Sequence, residues 1–320
     1  MKLCVFGAGA VGGHIAAKLA AAGQDVSVVA RGAHLDAMRN RGISLLHGSD
    51  VISGKVQASD RPADLGPQDA VFVTLKANML EAFADAAAPL LESNTVVVFV
   101  QNGIPWWYAK SMPSLDPGGR LAQAIAPHRV LGGVAYSANE VVEPGVIKNS
   151  VPGNNMLVIG EPSREETPRV LRLRKILEKA DLSSPPVADI RLSIWAKLLQ
   201  NLATSSLCTL TGATVDQVRS APHLKSVVAG LAAEGRAIAH GLGLDLERAP
   251  ARPRGGQASG AVGHKPSMLQ DYERGRPMEI DAQFMAPLSL AREVNVAAPI
   301  LAAIAALVAH KAAAKGLYGT

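Results

Sequence analysis

The chain has 320 residues, 48% hydrophobic, 18% charged and 4% aromatic, with a formal charge of +5; that length favours two domains over one. The mild charge forms no compact basic stripe, which argues against a nucleic-acid partner and leaves room for a small anionic ligand. No uncharged apolar run reaches about 18 residues, no signal-peptide pattern opens the chain, and Cys4 and Cys208 lie far apart in apolar surroundings, so a cytoplasmic protein with buried thiols and no membrane partner is expected.

Lys2 to Phe6 reads as a short buried strand that runs into Gly7-Ala8-Gly9-Ala10-Val11-Gly12 and then into a helix from Val11 to about Ala22. G-x-G-x-x-G between strand and helix is the pattern of a dinucleotide-binding turn. Gly7 permits the tight turn, Gly9 lets a pyrophosphate approach, and Gly12 lets helix and strand pack closely. The helix start at Ala10 and Val11 then faces the phosphates.

The second strand, Asp25 to Val29, ends at Ala30 and Arg31, where an NAD site would carry Asp or Glu. A carboxylate repels a 2′-phosphate, whereas an arginine meets it with a charge-assisted fork, so NADP(H) is favoured over NAD; an ordinary loop cation is the competing reading of Arg31.

Gly42 to Gln57 suggests a small hairpin, Ala70 to Leu75 a buried strand ending at Lys76, Asn78 to Leu91 a helix, and Thr95 to Val100 a strand ending at Gln101-Asn102-Gly103. Ligands bind outside the carboxyl ends of strands in an open parallel sheet, where Lys76 and Asn102 both fall. Lys76 is a second candidate for the 2′-phosphate and Asn102 for the nicotinamide side, with turn residues as the alternative for each. Trp106, Trp107 and Tyr108 either wall a pocket or begin a helix packed on the sheet.

Val130 to Tyr136, Val141 to Lys148 and Met156 to Ile159 read as sheet-edge strands with a turn at Glu143-Pro144-Gly145, and Arg164 to Ala180 as a surface helix. The prolines near Ser183 to Val187 mark a boundary, giving residues 1–185 as a nucleotide domain and 186–320 as a helical one.

Arg191 to Ser206 reads as an amphipathic helix in which Lys197, Asn201 and Ser205 rise along one face between Trp195 and the leucines. Alone, Lys197 reads as a solvated cation. His223 to His240 is a second long helix, Glu247 to Gly263 a loop rich in Arg, Gly, Pro and Ala whose Arg248, Arg252 and Arg254 read as solvated, with an anion contact as the alternative, and Gln283 to Val294 and Pro299 to Lys315 two closing helices.

GAGAVGG at the start, Arg31, TLKA at Thr74 to Ala77, QNG at Gln101 to Gly103, WAKLLQN at Trp195 to Asn201 and PSMLQDYERGRPMEID at Pro266 to Asp281 together resemble the ketopantoate reductase family, the 2-dehydropantoate 2-reductases. The resemblance implies an α/β architecture, with an N-terminal Rossmann-type doubly wound sheet, a C-terminal all-helical domain and an active site in the cleft between them. It implies that Gly7, Gly9 and Gly12 form the phosphate loop, that Arg31 and Lys76 hold the NADPH 2′-phosphate, and that Lys197 is the catalytic lysine with Glu279 beside it. Asn102, Asn201 and Ser267 would orient the 2-keto acid and the nicotinamide. No metal is called for, and a homodimer is one assembly compatible with the pattern.

Reducing a ketone leaves negative charge on its oxygen, which needs a nearby cation able to give up a proton. Lysine meets both needs: its ordinary pKa of about 10.4 falls on partial desolvation and is pulled back by a carboxylate. One position departs from the family pattern. Where a second asparagine commonly follows Asn201 by four residues, this chain has Ser205. That leaves a reductase of a different 2-keto acid as one alternative to 2-dehydropantoate reduction. A non-catalytic NADP(H)-binding regulator is another.

Overall fold

The computed structural model describes residues 1–109, 112–251 and 263–319; Arg252 and Arg254 of the Arg- and Gly-rich loop lie outside them. The chain divides into two compact units. The first holds Met1–Gln101 and Gly118–Ile190, and the second holds Asn102–Pro117, Arg191–Pro250 and, at its C-terminal end, 263–319.

In the first unit, β1 (Lys2–Phe6), α1 (Ala10–Ala21) and β2 (Asp25–Val29) are followed by α2 (Gly32–Arg41), the hairpin β3 (Ile43–His47) and β4 (Asp50–Gly54), and β5 (Gln57–Ser59). Next come β6 (Ala70–Val73), α3 (Glu81–Ala86), β7 (Val96–Val100), α4 (Arg120–Ala124), β8 (Val130–Tyr136), β9 (Asn139–Glu143), β10 (Val146–Asn149), β11 (Met156–Gly160) and α5 (Pro168–Lys179). The main sheet has the order β11-β8-β7-β6-β1-β2-β5, parallel except where β11 pairs antiparallel with β8. Strand order reverses at β1, the doubly wound arrangement with its switch point beside the glycine turn. The strands are continuous apolar runs because both faces are covered: Leu3, Val5, Phe72, Val98 and Leu131 are fully buried.

A second sheet of order β4-β3-β10-β9 covers the outer side of α1. Thus α1 lies between two sheets, and the adjacent glycines Gly12 and Gly13 serve one contact each. A Cβ at Gly12 would overlap the Gly7 carbonyl and the Thr74 hydroxyl, and one at Gly13 would strike Ile147 of β10. The strands expected at a sheet edge therefore divide: β8 is interior to the main sheet, and β9 and β10 join the hairpin β3–β4 instead.

The helix expected over Asn78 to Leu91 is broken into a 3₁₀ turn (Ala77–Met79), the short α3 and a second 3₁₀ turn (Ala88–Leu90). Pro89 lies in the final turn, where it removes one amide donor and disfavours helical geometry at Ala88. Helix α5 starts at Pro168 because Thr167 caps it, accepting from the Val170 amide, with proline in the first turn.

The second unit is helical: α6 (Ile190–Gln200), whose first residue is the last of the first unit, a π turn (Asn201–Ser205), α7 (Ser206–Thr211), α8 (Val215–Ser220), α9 (Lys225–Gly241), α10 (Ser267–Glu273), a second π turn (Asp281–Met285), α11 (Ala286–Glu293) and α12 (Pro299–Ala313). Trp106, Trp107 and Tyr108 begin no helix; they lie in turns of this unit. The buried Trp195 indole donates to the Tyr108 hydroxyl at 2.7 Å, and the Arg191 guanidinium stands over the Tyr108 ring at 5.4 Å. Among the described residues no helix is long and apolar enough to cross a membrane. Cys4 and Cys208 are buried free thiols, pushed up to about 12 and about 11 by burial.

Candidate functional site

In the first unit the register brings the candidate cofactor residues to one edge. Phe6, at the end of β1, pairs with Val29 at the end of β2 and with Val73 at the end of β6. The glycine turn, Arg31 and Lys76 therefore leave neighbouring strands on the same side of the sheet. Neighbouring strands are about 4.8 Å apart, so all three fall within reach of one extended ligand.

The three glycines of the turn have different reasons to be glycine. Gly7 has φ of +100°, a region that disfavours side chains. Gly12 has no room for a Cβ. Gly9 has φ of −67° at the N-cap of α1 and open space where a Cβ would stand, so nothing inside the protein demands glycine there. The amides of Ala10, Val11 and Gly12 open α1, where a helix leaves its first donors without intrahelical partners. No acidic residue occupies that first turn, which suits an anion.

Arg31 caps α2 and is exposed; among the described residues its guanidinium makes no ion pair or hydrogen bond. Lys76 is half-buried at the start of the turn after β6.

Three residues with no role in the sequence reading hold this edge. The Thr74 hydroxyl donates to the Gly7 carbonyl at 2.5 Å. The Gln101 amide donates to the Val73 carbonyl at 2.9 Å. The His34 ring accepts from the Gly145 amide at its Nδ1, which leaves Nε2–H to donate to the Ala8 carbonyl at 2.6 Å. Thr74 and Gln101 fall within the quoted motifs, but His34 carries no sequence signal, since its partners come from a separate turn.

The second unit gathers Asn102, Lys197, Asn201, Ser205, Ser267 and Glu279. Lys197 is half-buried on α6. The opposite apolar face of that helix packs on α9, so closely at Gly235 that a Cβ there would collide with Leu199. The π turn Asn201–Ser205 lies against α10, which starts at Ser267, and against the second π turn, which starts two residues after Glu279. Glu279 itself is 8% exposed.

The stripe expected at α-helical spacing is corrected by the π turn. A single π turn adds one residue, so Ser205 takes the angular place of an i+7 residue, about 20° from Lys197, where an unbroken α-helix would set it about 80° away. Ser205 is 4% exposed, and its hydroxyl has no hydrogen-bond partner among the described residues. The same holds for the side chains of Asn102, Asn201 and Ser267. Four polar groups of one unit are thus left available beside a lysine and a buried glutamate.

The Asn102 loop is tied to this region: the Ile104 amide donates to the Ala282 carbonyl at 2.8 Å. Gly103, at φ of +78°, has no room for a Cβ above that carbonyl.

Comparison with known proteins places the chain in a family. Residues 3–164 match the family described as Ketopantoate reductase PanE/ApbA, and residues 189–312 match Ketopantoate reductase PanE/ApbA C terminal. A protein of Mesorhizobium japonicum named 2-dehydropantoate 2-reductase is 42% identical, covering 99% of this chain and 100% of the relative. A crystal structure from Ralstonia solanacearum MolK2, provisionally named a ketopantoate reductase, superposes with a TM-score of 0.86 at 34% identity, covering 99% of each chain. The 2-dehydropantoate 2-reductase of Geobacter metallireducens GS-15 superposes at 0.82 with 26% identity, covering 96% of this chain and 99% of its own. The chain belongs to the ketopantoate reductase family.

Proposed function

We propose that the protein reduces 2-dehydropantoate to (R)-pantoate with NADPH. The observation that carries this reading is the 42% identity, end to end, with a 2-dehydropantoate 2-reductase. Bound NADP(H) supplies the hydride. In this reading the Gly7–Gly12 turn and the start of α1 hold the pyrophosphate, and Arg31 with Lys76 holds the 2′-phosphate, which makes NADPH the preferred form. Lys197 binds the ketone oxygen, stabilises its developing negative charge and delivers the proton the alcohol requires. Glu279 keeps Lys197 charged and contacts the cofactor, while Asn102, Asn201 and Ser267 orient the keto acid and the nicotinamide. The reading expects a nucleotide domain over residues 1–185 and a catalytic domain over 186–320, with Asn102–Pro117 grouped with the latter, and a homodimer to be tested by light scattering.

A second reading, reduction of a different 2-keto acid, is favoured by Ser205, whose short buried hydroxyl stands nearly in line with Lys197. Steady-state rates with NADPH and a panel of 2-keto acids test both. The proposal expects 2-dehydropantoate to give the highest kcat/KM, and a rate no better than that with 2-ketoisovalerate overturns it in favour of the second reading. Lys197→Ala is expected to lower kcat by at least about 100-fold, roughly 3 kcal/mol of transition-state stabilisation. An unchanged kcat would remove the lysine from the chemistry.

A further inference from the structure

The C-terminal residues after α12 are not a loose end. Gly316, at φ of +67°, reverses the chain, and the Leu317 amide returns to the Ala312 carbonyl at 3.0 Å, closing the helix in a left-handed glycine cap. Two contacts then reach the segment that carries Glu279. The Leu317 carbonyl accepts from the Met278 amide at 2.9 Å, and the Tyr318 hydroxyl donates to the Asp281 carboxylate at 2.8 Å. Leu317 is itself buried.

These contacts bracket Glu279, one residue before it and two after. Asp281 also opens the π turn whose next residue, Ala282, receives the Ile104 amide and so ties down the Asn102 loop. A π turn inside a helix is a locally irregular arrangement that needs outside support, and here its first side chain is held by a residue at the far end of the chain.

From this geometry we infer that Leu317 and Tyr318 form a clamp in which Tyr318 is a positioning residue, acting through Asp281 to set Glu279 and the Asn102 loop for the keto acid. The inference rests on the reductase reading above. Tyr318 touches no reacting atom in it; loss of its hydroxyl lets the π turn and the carboxylate of Glu279 drift, and small misplacements of catalytic groups are costly. Burial and the Asp281 carboxylate push the phenol up to about 12, so it stays a donor throughout the working pH range.

The test combines kinetics with hydrogen exchange on the full-length enzyme. Tyr318→Phe is expected to lower kcat/KM for 2-dehydropantoate about tenfold and to speed amide exchange in a peptide spanning residues 278–285. Asp281→Ala should reproduce both effects, and Asp281→Asn, which keeps an oxygen acceptor, should restore most of the activity. In a Glu279→Gln background Tyr318→Phe should cost no more than about threefold, because one of the two groups it positions is already lost and only the Asn102 loop is left to set. Equal losses in both backgrounds, or unchanged exchange over 278–285 in both Tyr318→Phe and Asp281→Ala, overturn the clamp. A wild-type enzyme inactive on every 2-keto acid overturns the reductase reading instead, and the exchange measurement still decides whether the clamp exists.

Discussion

Gly9 and Gly12 stand three residues apart and answer to different demands. Gly12→Ala forces a Cβ into the Gly7 carbonyl and the Thr74 hydroxyl; displacing backbone there should lower stability by about 1–3 kcal/mol. Gly9→Ala meets open space at an ordinary φ and should leave stability within about 0.5 kcal/mol of wild type. Its effect should fall on the ligand, with NADPH affinity reduced about tenfold or more, some 1.4 kcal/mol. Thermal melts paired with NADPH titration separate the two; a destabilised Gly9→Ala with normal NADPH affinity would contradict the assignment. Arg31 makes the corresponding case for charge. Since its guanidinium has no partner among the described residues, Arg31→Ala should leave folding alone, reduce kcat/KM for NADPH at least tenfold and leave that for NADH nearly unchanged, at roughly the strength of one charge-assisted fork. Equal losses with both cofactors would place Arg31 away from the 2′-phosphate.

Within elements, α1 shows how one helix holds two sheets together and carries a polar network as it does so. His14 is buried, and its Nε2 lies 3.1 Å from the side-chain amide oxygen Oδ1 of Asn155. Asn149 spends its two amide hydrogens on Asn155 and Asn139, so the His14 ring donates to Asn155. One turn on, Lys18 pairs with Asp181 at 2.5 Å. Burial, helped by the neighbouring Lys18 charge, pushes the His14 pKa from 6.5 down to about 4. Below pH 6.5 the unfolded chain takes up a proton that the folded one refuses, so stability falls as pH drops from 6.5 toward 4, by about 3 kcal/mol over the whole window. Chemical denaturation at pH 7 and at pH 4.5 should show this loss in the wild type and a flatter dependence in His14→Gln. An identical pH dependence in the two proteins would assign the acid sensitivity to another group. The π turn after α6 works at the same scale: it adds one residue to a continuous helix, and that residue decides whether Ser205 lines up with Lys197.

At the scale of the molecule, legibility follows the range of the interactions involved. The run from Lys2 to Val29 could be read residue by residue, because apolar strands, the glycine turn and the helix after it are set by neighbours a few positions away. Helix α2 escaped notice because its charged stretch buries only Leu35, Ala37 and Met38, too few to make a periodic stripe. The second sheet escaped because β3 and β10, which pair in parallel, are distant in sequence, and a strand pattern does not name its partner. By itself the sequence determined the glycine turn, the arginine where an acidic residue would select NAD, and the lysine with its following asparagine. Tertiary structure alone decided that Asn102–Pro117 groups with the helical unit, that a π turn realigns Ser205, and that Tyr318 reaches Asp281. The reason is physical: turns and helix starts are settled by local sterics, whereas helical phase and tail docking are settled by packing against residues that no short window of sequence contains.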